Sequence, residues 1–348
     1  MVSTRQPPAS SQLDYRWADC DDEALLDLRF SSLGLRFRGS PLWFEVERLH
    51  NDFERRGLRF RPHVWLSTDW FSPDGIPGFA VPFYLAHPRL QRLERTMMGE
   101  VEGGNRKWRH RIMRHEAGHA IDNAYGLRRR AGWRRVFGRA SAPYPDSYSP
   151  RPSSRRHVLH LGHWYAQSHP TEDFAETFAV WMQPKARWRR DYSDWPALKK
   201  LDYVDALMDE IATSKPRHRS RSVIEPLRQV NQTLGEHYRQ KLERYGGKER
   251  RYDRWMARVF VARARRPRAI RASRFVREIE PQLRRLLQRR ARLHPYYIDH
   301  AITIVKQRSR QLDLVLRTSR RDAKRPVVRL TERIVLDILK RNRENYAL

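Results

Sequence analysis

The segment His-Glu-Ala-Gly-His at residues 115–119 constrains the fold of this 348-residue chain more than any other feature. Two histidines four residues apart act together on a helix, where four steps make about 400° of turn and place both imidazoles on one face. The spacing predicts a helix over Trp108–Tyr125, with Trp108, Ile112, His115, His119 and Asp122 along one broad face and Gly126 placed to end it. His115 and His119 can then reach one metal ion, and the pattern is that of a mononuclear zinc site, one ion per chain. Glu116 lies beside the ion without binding it, poised to take a proton from activated water and pass it to a leaving amine. Gly118 leaves room for a close neighbour on the same turn.

A catalytic zinc needs a third protein ligand. The extended pattern that supplies a third histidine fails, because Asp122 and Tyr125 stand where glycine and histidine would be. Asp122 can either orient a histidine or cap locally. The best source of the missing ligand is Ser168–Met182, SHPTEDFAETFAVWM, which reads as a helix from near Pro170. Glu172 and Glu176 share a face one turn apart, while Asp173 is rotated about 100° away. Glu172 is preferred as the ligand, with Glu176 hydrogen-bonding a ligating histidine from behind. The reverse stays open, as does an ordinary acidic face, and so do His157, His160, His163 and His169 as alternative ligands.

Upstream of the motif, Asp21–Gly57 is helical in pattern, with Pro41 in a favoured first-turn position. Phe60–Trp70 and Gly78–Leu90 read as two strands joined by the Ser-Pro-Asp-Gly turn at 72–75, and Pro82 suits an edge strand. Ala140–Arg156 reads as an irregular surface loop, and a further helical stretch covers Trp195–Ala212. The basic, polar segment 214–221 is the candidate linker. Beyond it the pattern is helical: Val223–Tyr245, Tyr252–Arg265, Phe275–Arg292, Tyr296–Thr318 and Val328–Asn342.

The segment HWYAQSHPTEDFAETFAVWM, together with HEAGH, resembles the gluzincin metallopeptidases, and especially the zinc-binding metallopeptidases whose motif is a Tyr followed by His-Pro-x-Glu-Asp-Phe/Trp-Ala-Glu. The Tyr-to-Glu spacing is also similar to that in the catalytic domain of anthrax lethal factor. The resemblance covers about residues 14–212. It implies Glu172 as the third ligand and Tyr165 as the donor to the oxyanion of the tetrahedral intermediate, where a phenol would stabilise charge that develops only in the transition state. It also implies an edge strand above the metal to which a substrate peptide adds, matched here by Gly78–Ala86 with Gly78, Phe79, Ala80 and Val81 as substrate-binding residues.

The expected architecture is α+β. A lead-in at 1–13 precedes a zincin-like domain at 14–213, with a small twisted sheet, the HExxH helix and the glutamate helix. The linker follows, and then a basic all-α domain at 222–348. Of the net charge of +31, most lies in residues 216–348, which hold 37 Lys+Arg against 13 Asp+Glu. Such a surface could bind nucleic acid or an acidic partner. Arginine exceeds lysine about sixfold along the whole chain, however, which speaks for a compositional habit and a solvated helical surface. No run of about 18 apolar residues is present to span a membrane. Cys20 is the only cysteine, which excludes an intrachain disulfide and points to a cytoplasmic setting. The leading expectation is zinc-dependent peptide-bond hydrolysis. Its rivals are a nucleic-acid-associated protein whose protease-like domain acts on bound proteins, and a non-catalytic metal-binding member of the fold.

Overall fold

The computed structural model describes residues 15–98, 101–145, 147–148, 150–151, 154–245, 252–291, 295–341 and 346–347; the expected lead-in at 1–13 lies outside them. They pack as two units. One is built from the described residues of 1–93, 102–144 and 154–236, the other from those of 94–101, 145–153 and 237–348.

The first unit contains α1 (Asp22–Leu26), α2 (Pro41–Arg55), β1 (His63–Ser67), β2 (Gly78–Pro82), the first part of α3 (Pro88–Met98), α4 (Arg106–Tyr125), α5 (Ala131–Phe137), α6 (Pro170–Met182), α7 (Trp188–Asp191) and α8 (Leu198–Ile211). Helix α4 starts where the Asn105 side chain accepts the Trp108 N–H at 2.9 Å, and it stops at Gly126, whose φ of +62° suits glycine. From Ile112 to Tyr125 every residue except His119 is buried, so α4 is a central helix covered on several sides by α2, α6 and β2. Helix α6 is buried throughout from Thr171 to Met182. The two cross at Gly118: a Cβ there would sit 2.8 Å from the Ala175 Cα, so only glycine permits this approach.

The two strands differ from the sequence expectation. They pair in parallel, His63 opposite Gly78 through Ser67 opposite Pro82. Parallel neighbours usually need a crossover of a dozen or more residues. Here residues 68–77 loop out and return, fastened to α4 by Asn123, whose Nδ2 donates to the carbonyls of Pro73 (3.0 Å) and Ile76 (3.1 Å). On the way Phe71 bridges to β2, its carbonyl accepting the Ala80 N–H at 2.8 Å. Strand β2 also ends earlier than expected. It stops at Pro82, and Phe83–Ala86 forms a 3-10 turn.

Residues 214–236 pack on this first unit. The Arg217 and His218 N–H groups donate to the Ala124 carbonyl (2.8 and 3.0 Å), and the Trp65 indole and Ser67 hydroxyl donate to the carbonyls of Ile224 (2.9 Å) and Glu225 (2.8 Å). The stretch 223–233, expected as helix, is therefore irregular apart from a 3-10 turn at Leu227–Gln229. Pro226 and these captured carbonyls oppose helical bonding.

The second unit holds the last part of α3, α9 (Leu234–Tyr245) from His237 on, α10 (Asp253–Val259), α11 (Ala272–Ala291), α12 (Pro295–Gln311) and α13 (Arg320–Arg341), around an apolar core including Met256, Phe260, Phe275, Leu283, Ile298, Val305 and Ile334. It is not all-α. Besides a short antiparallel contact between β3 (Ser147–Tyr148) and β6 (Tyr346–Ala347), β4 (Phe260–Ala262) pairs antiparallel with β5 (Leu314–Leu316). Residues 260–262 were expected to continue a helix. Phe260 instead anchors in the core and Val261 pairs with Val315, where β-branched partners favour a strand.

Candidate metal centre

Helix α4 presents His115 and His119 to α6, which presents Glu172 and Glu176. The His115 and His119 Nε2 atoms are 3.2 Å apart, and Glu172 Oε2 lies 3.0 Å from the first and 3.2 Å from the second. Three donor atoms from three residues thus form a nearly equilateral triangle. With zinc–ligand bonds of about 2.0–2.1 Å, the edge of a tetrahedral face is roughly 3.3 Å. The donor set and its spacing fit a tetrahedral metal ion with one position open.

Glu176 has a different place. Its Oε1 accepts the His115 Nδ1–H at 2.9 Å, and its Oε2 accepts the Leu161 backbone N–H at 2.8 Å. Nδ1 therefore carries the proton and Nε2 is left to face the triangle. The four side chains are buried or nearly so, with Glu172 at 5% exposure and Glu176 at 1%, which removes the reading of an exposed acidic face. Burial alone would lower the His115 pKa, but bonds to Glu172 and Glu176 outweigh it and hold the ring well above its usual value. Burial would likewise raise Glu172, yet His119 and His115 hold its carboxyl well below the usual range. The cluster is electrostatically prepared for positive charge at its centre.

Glu116 lies beside the triangle, and Ser72 donates its hydroxyl to Glu116 Oε2 at 2.9 Å. Burial pushes the Glu116 carboxyl above the usual range, against the pull of His115, His119 and Ser72. That direction suits a group that must both accept and return a proton. Tyr165 sits in a 3-10 turn (Gly162–Gln167) with its ring 5.5 Å from that of His115. The preceding Trp164 has a φ of +52°, an unfavourable conformation for a bulky side chain.

His115, His119, Glu172, Glu116, Ser72 and Tyr165 line a cleft of about 230 Å³, together with Trp70, Phe71, Asp74, Arg128, Tyr144 and Thr171. Gly78, Phe79, Ala80 and Val81 do not line it. All four are buried, and the Phe71 bridge engages β2 at Ala80, so the expected substrate edge is covered. Trp70, Phe71 and Ser72, in the loop between β1 and β2, line the cleft instead. Asp122 is not hydrogen-bonded to His115 or His119; it accepts the Arg128 N–H at 2.8 Å and Arg128 Nε–H at 2.6 Å, fixing the chain after α4.

The other candidate histidines have separate partners. His160 meets the Arg111 carbonyl at 2.9 Å, His157 faces Asp173, and His169 caps α6, while the His163 side chain lies outside the described residues. Seven cleft residues were missed from sequence: Trp70, Phe71, Ser72, Asp74, Arg128, Tyr144 and Thr171. Ser72 was visible only as part of a turn signal, and Tyr144 as one residue of an irregular loop.

Among known proteins, residues 95–191 match the family model described as "Putative zinc-binding metallo-peptidase", a span that includes α4 and α6. No curated protein and no solved structure matches the chain. Residues 95–191 are thus similar to a zinc-binding metallopeptidase family over the segment that supplies His115, His119 and Glu172.

Proposed function

We propose that the protein is a zinc-dependent peptidase that cleaves peptide bonds with one ion held by His115, His119 and Glu172. The carrying observation is the triangle of donor atoms, with Glu116 beside it on an open cleft. Zinc bound there supplies Lewis-acid activation of water and of the scissile carbonyl. Glu116 removes the proton from the attacking water and delivers it to the leaving amine, while Ser72 holds its carboxylate in place. Tyr165, on the cleft wall, donates to the oxyanion as charge builds. Glu176 fixes the tautomer of His115. The substrate backbone runs along Trp70–Ser72, in place of the buried strand β2.

Purified protein should hold about one zinc per chain and cleave an unfolded-protein or peptide library. His115→Ala and Glu172→Ala should each lose the metal. Retention of zinc with no cleavage of any such substrate would leave a non-catalytic metal-binding protein.

A second reading concerns the second unit. Residues 254–277 contain nine arginines and no Asp or Glu, and eight of the nine are exposed. This run favours contacts with nucleic-acid phosphates, which arginine forks bind well. Full-length protein should then bind duplex DNA or RNA with affinity falling steeply as salt rises. No binding at low salt removes this reading.

A further inference from the structure

Tyr144 joins an exposed position to an inward hydrogen bond. The residue is 54% exposed, so burial in a core does not explain where it lies. Its hydroxyl donates to Glu172 Oε1 at 2.7 Å and also meets the Thr171 hydroxyl. Oε1 is the oxygen of Glu172 not shared with the histidines; Oε2 is the one placed 3.0 and 3.2 Å from their Nε2 atoms. A tyrosine has one proton to give. That proton is directed at the Glu172 carboxylate, and the Thr171 hydroxyl, which also lies 2.7 Å from His169 Nδ1, directs its own proton at that nitrogen.

The ring is held from behind. It stacks on His169 with centroids 3.8 Å apart and planes within 19°. His169 Nδ1 accepts the Thr171 N–H at 3.2 Å, so the ring proton is on Nε2 and donates to the Ala142 carbonyl at 2.9 Å. The cap of α6 therefore ties down the chain just before Tyr144. One histidine caps the helix that carries Glu172 and stacks on the phenol that holds Glu172.

We propose that Tyr144 is a positioning residue that restricts Glu172 to one ligating oxygen and so keeps a coordination position free for water. The inference rests on the zinc reading above. A carboxylate can bind a metal through one oxygen or two, and nothing on Glu172 itself prevents the second mode. A hydrogen bond to Oε1 from a donor fixed outside the triangle opposes the rotation that would bring Oε1 to the ion. It also orients the carboxylate before metal arrives, as groups bonded to ligands commonly do.

The test uses full-length protein loaded with Co²⁺ alone, whose visible spectrum distinguishes four- from five-coordinate sites, together with the rate of metal loss to excess chelator. Wild-type protein should give the intense bands of a four-coordinate site. Tyr144→Phe should weaken them, as a second carboxylate oxygen joins, and should lose metal on the order of 10-fold faster. Thr171→Val, which keeps the phenol but removes its partner, should move both readouts the same way by less. An unchanged spectrum and loss rate in Tyr144→Phe overturns the role of Tyr144. If that variant fails to fold by circular dichroism, Thr171→Val carries the test, and its identity with wild type is the overturning result. If wild-type protein takes up no Co²⁺, or His115→Ala takes it up equally, the zinc reading itself falls, and both results are read before any Tyr144 or Thr171 variant.

Discussion

The two units bury different things. Among the described residues, α4 and α6 alone bury Arg114, His115, Glu116, Asp122, Glu172, Asp173 and Glu176. Between 252 and 341 the buried polar residues are Ser273, Ser309 and Thr331, and the remainder of that core is apolar or aromatic. Removing an ionisable group from water costs several kcal/mol unless partners restore the lost hydration. Among its described residues the second unit buries one carboxylate, Glu94, paired with Lys241 at 3.1 Å, and leaves most of its charges at the surface. The first accepts it on two adjoining helices and meets it with paired groups. His115, Glu116, Glu172 and Glu176 gather at the candidate metal centre, whereas Asp122 pairs with Arg128 and Asp173 with Lys200.

The contrast fails if the charges of the first unit contribute no chemistry. Glu116→Gln is the largest test: zinc should stay, turnover should fall by about 10²–10⁴-fold, and thermal stability should hold or rise. Undiminished cleavage of a peptide substrate by this variant would sink the role given to Glu116. In the second unit the expected pattern is reversed. Leu283→Ala, at a fully buried position, should cost about 2–5 kcal/mol in denaturant unfolding and leave zinc content unchanged in the folded protein.

Gly118→Ala asks whether close packing sets the ligand distances. The added Cβ would meet the Ala175 backbone at 2.8 Å, so α6 must shift and carry Glu172 and Glu176 with it. A loss of about 1–3 kcal/mol is expected, with weaker zinc retention against a chelator. Wild-type retention in a destabilised variant would separate packing from ligand placement. The smallest effect belongs to the exposed arginines. Arg265→Ala with Arg268→Ala should change stability by under about 0.5 kcal/mol per site, while lowering the salt dependence of nucleic-acid binding if that surface binds phosphate.

Acid adds a test common to both units. His160 and His237 are each depressed to about 4, chiefly by burial. Both are held neutral in the fold, and an unfolded histidine titrates near 6.5. The stability this neutrality confers is complete above about pH 6.5 and is lost as pH falls towards 4. Unfolding midpoints measured across that window should fall, and replacing His160 with Gln should flatten the first unit's share.

Much of the candidate site was legible. HEAGH required a helix, and Gly126 marked its end. The His-Pro start of α6 and the four-residue spacing of its glutamates gave the second helix and its inward face. The strands were read less well, because alternation gives a strand but not its partner's direction. The parallel pairing depends on Asn123 of α4 holding the intervening loop, and the covering of β2 depends on Phe71. Neither dependence appears within a local window of sequence. The 260–262 strand was missed because its partner lies more than fifty residues away.

Sequence alone therefore determined which residues could meet a metal, since helical period is a local property of the backbone. Tertiary structure decided the rest. It brought Glu172 Oε2 to both Nε2 atoms and turned Glu176 to the far side of His115, through a helix crossing that only Gly118 allows. It also carried Tyr144 from a loop without periodicity to the remaining oxygen of Glu172. Those are contacts between distant segments, selected by packing and by the need to pair buried charge, and no spacing along the chain encodes them.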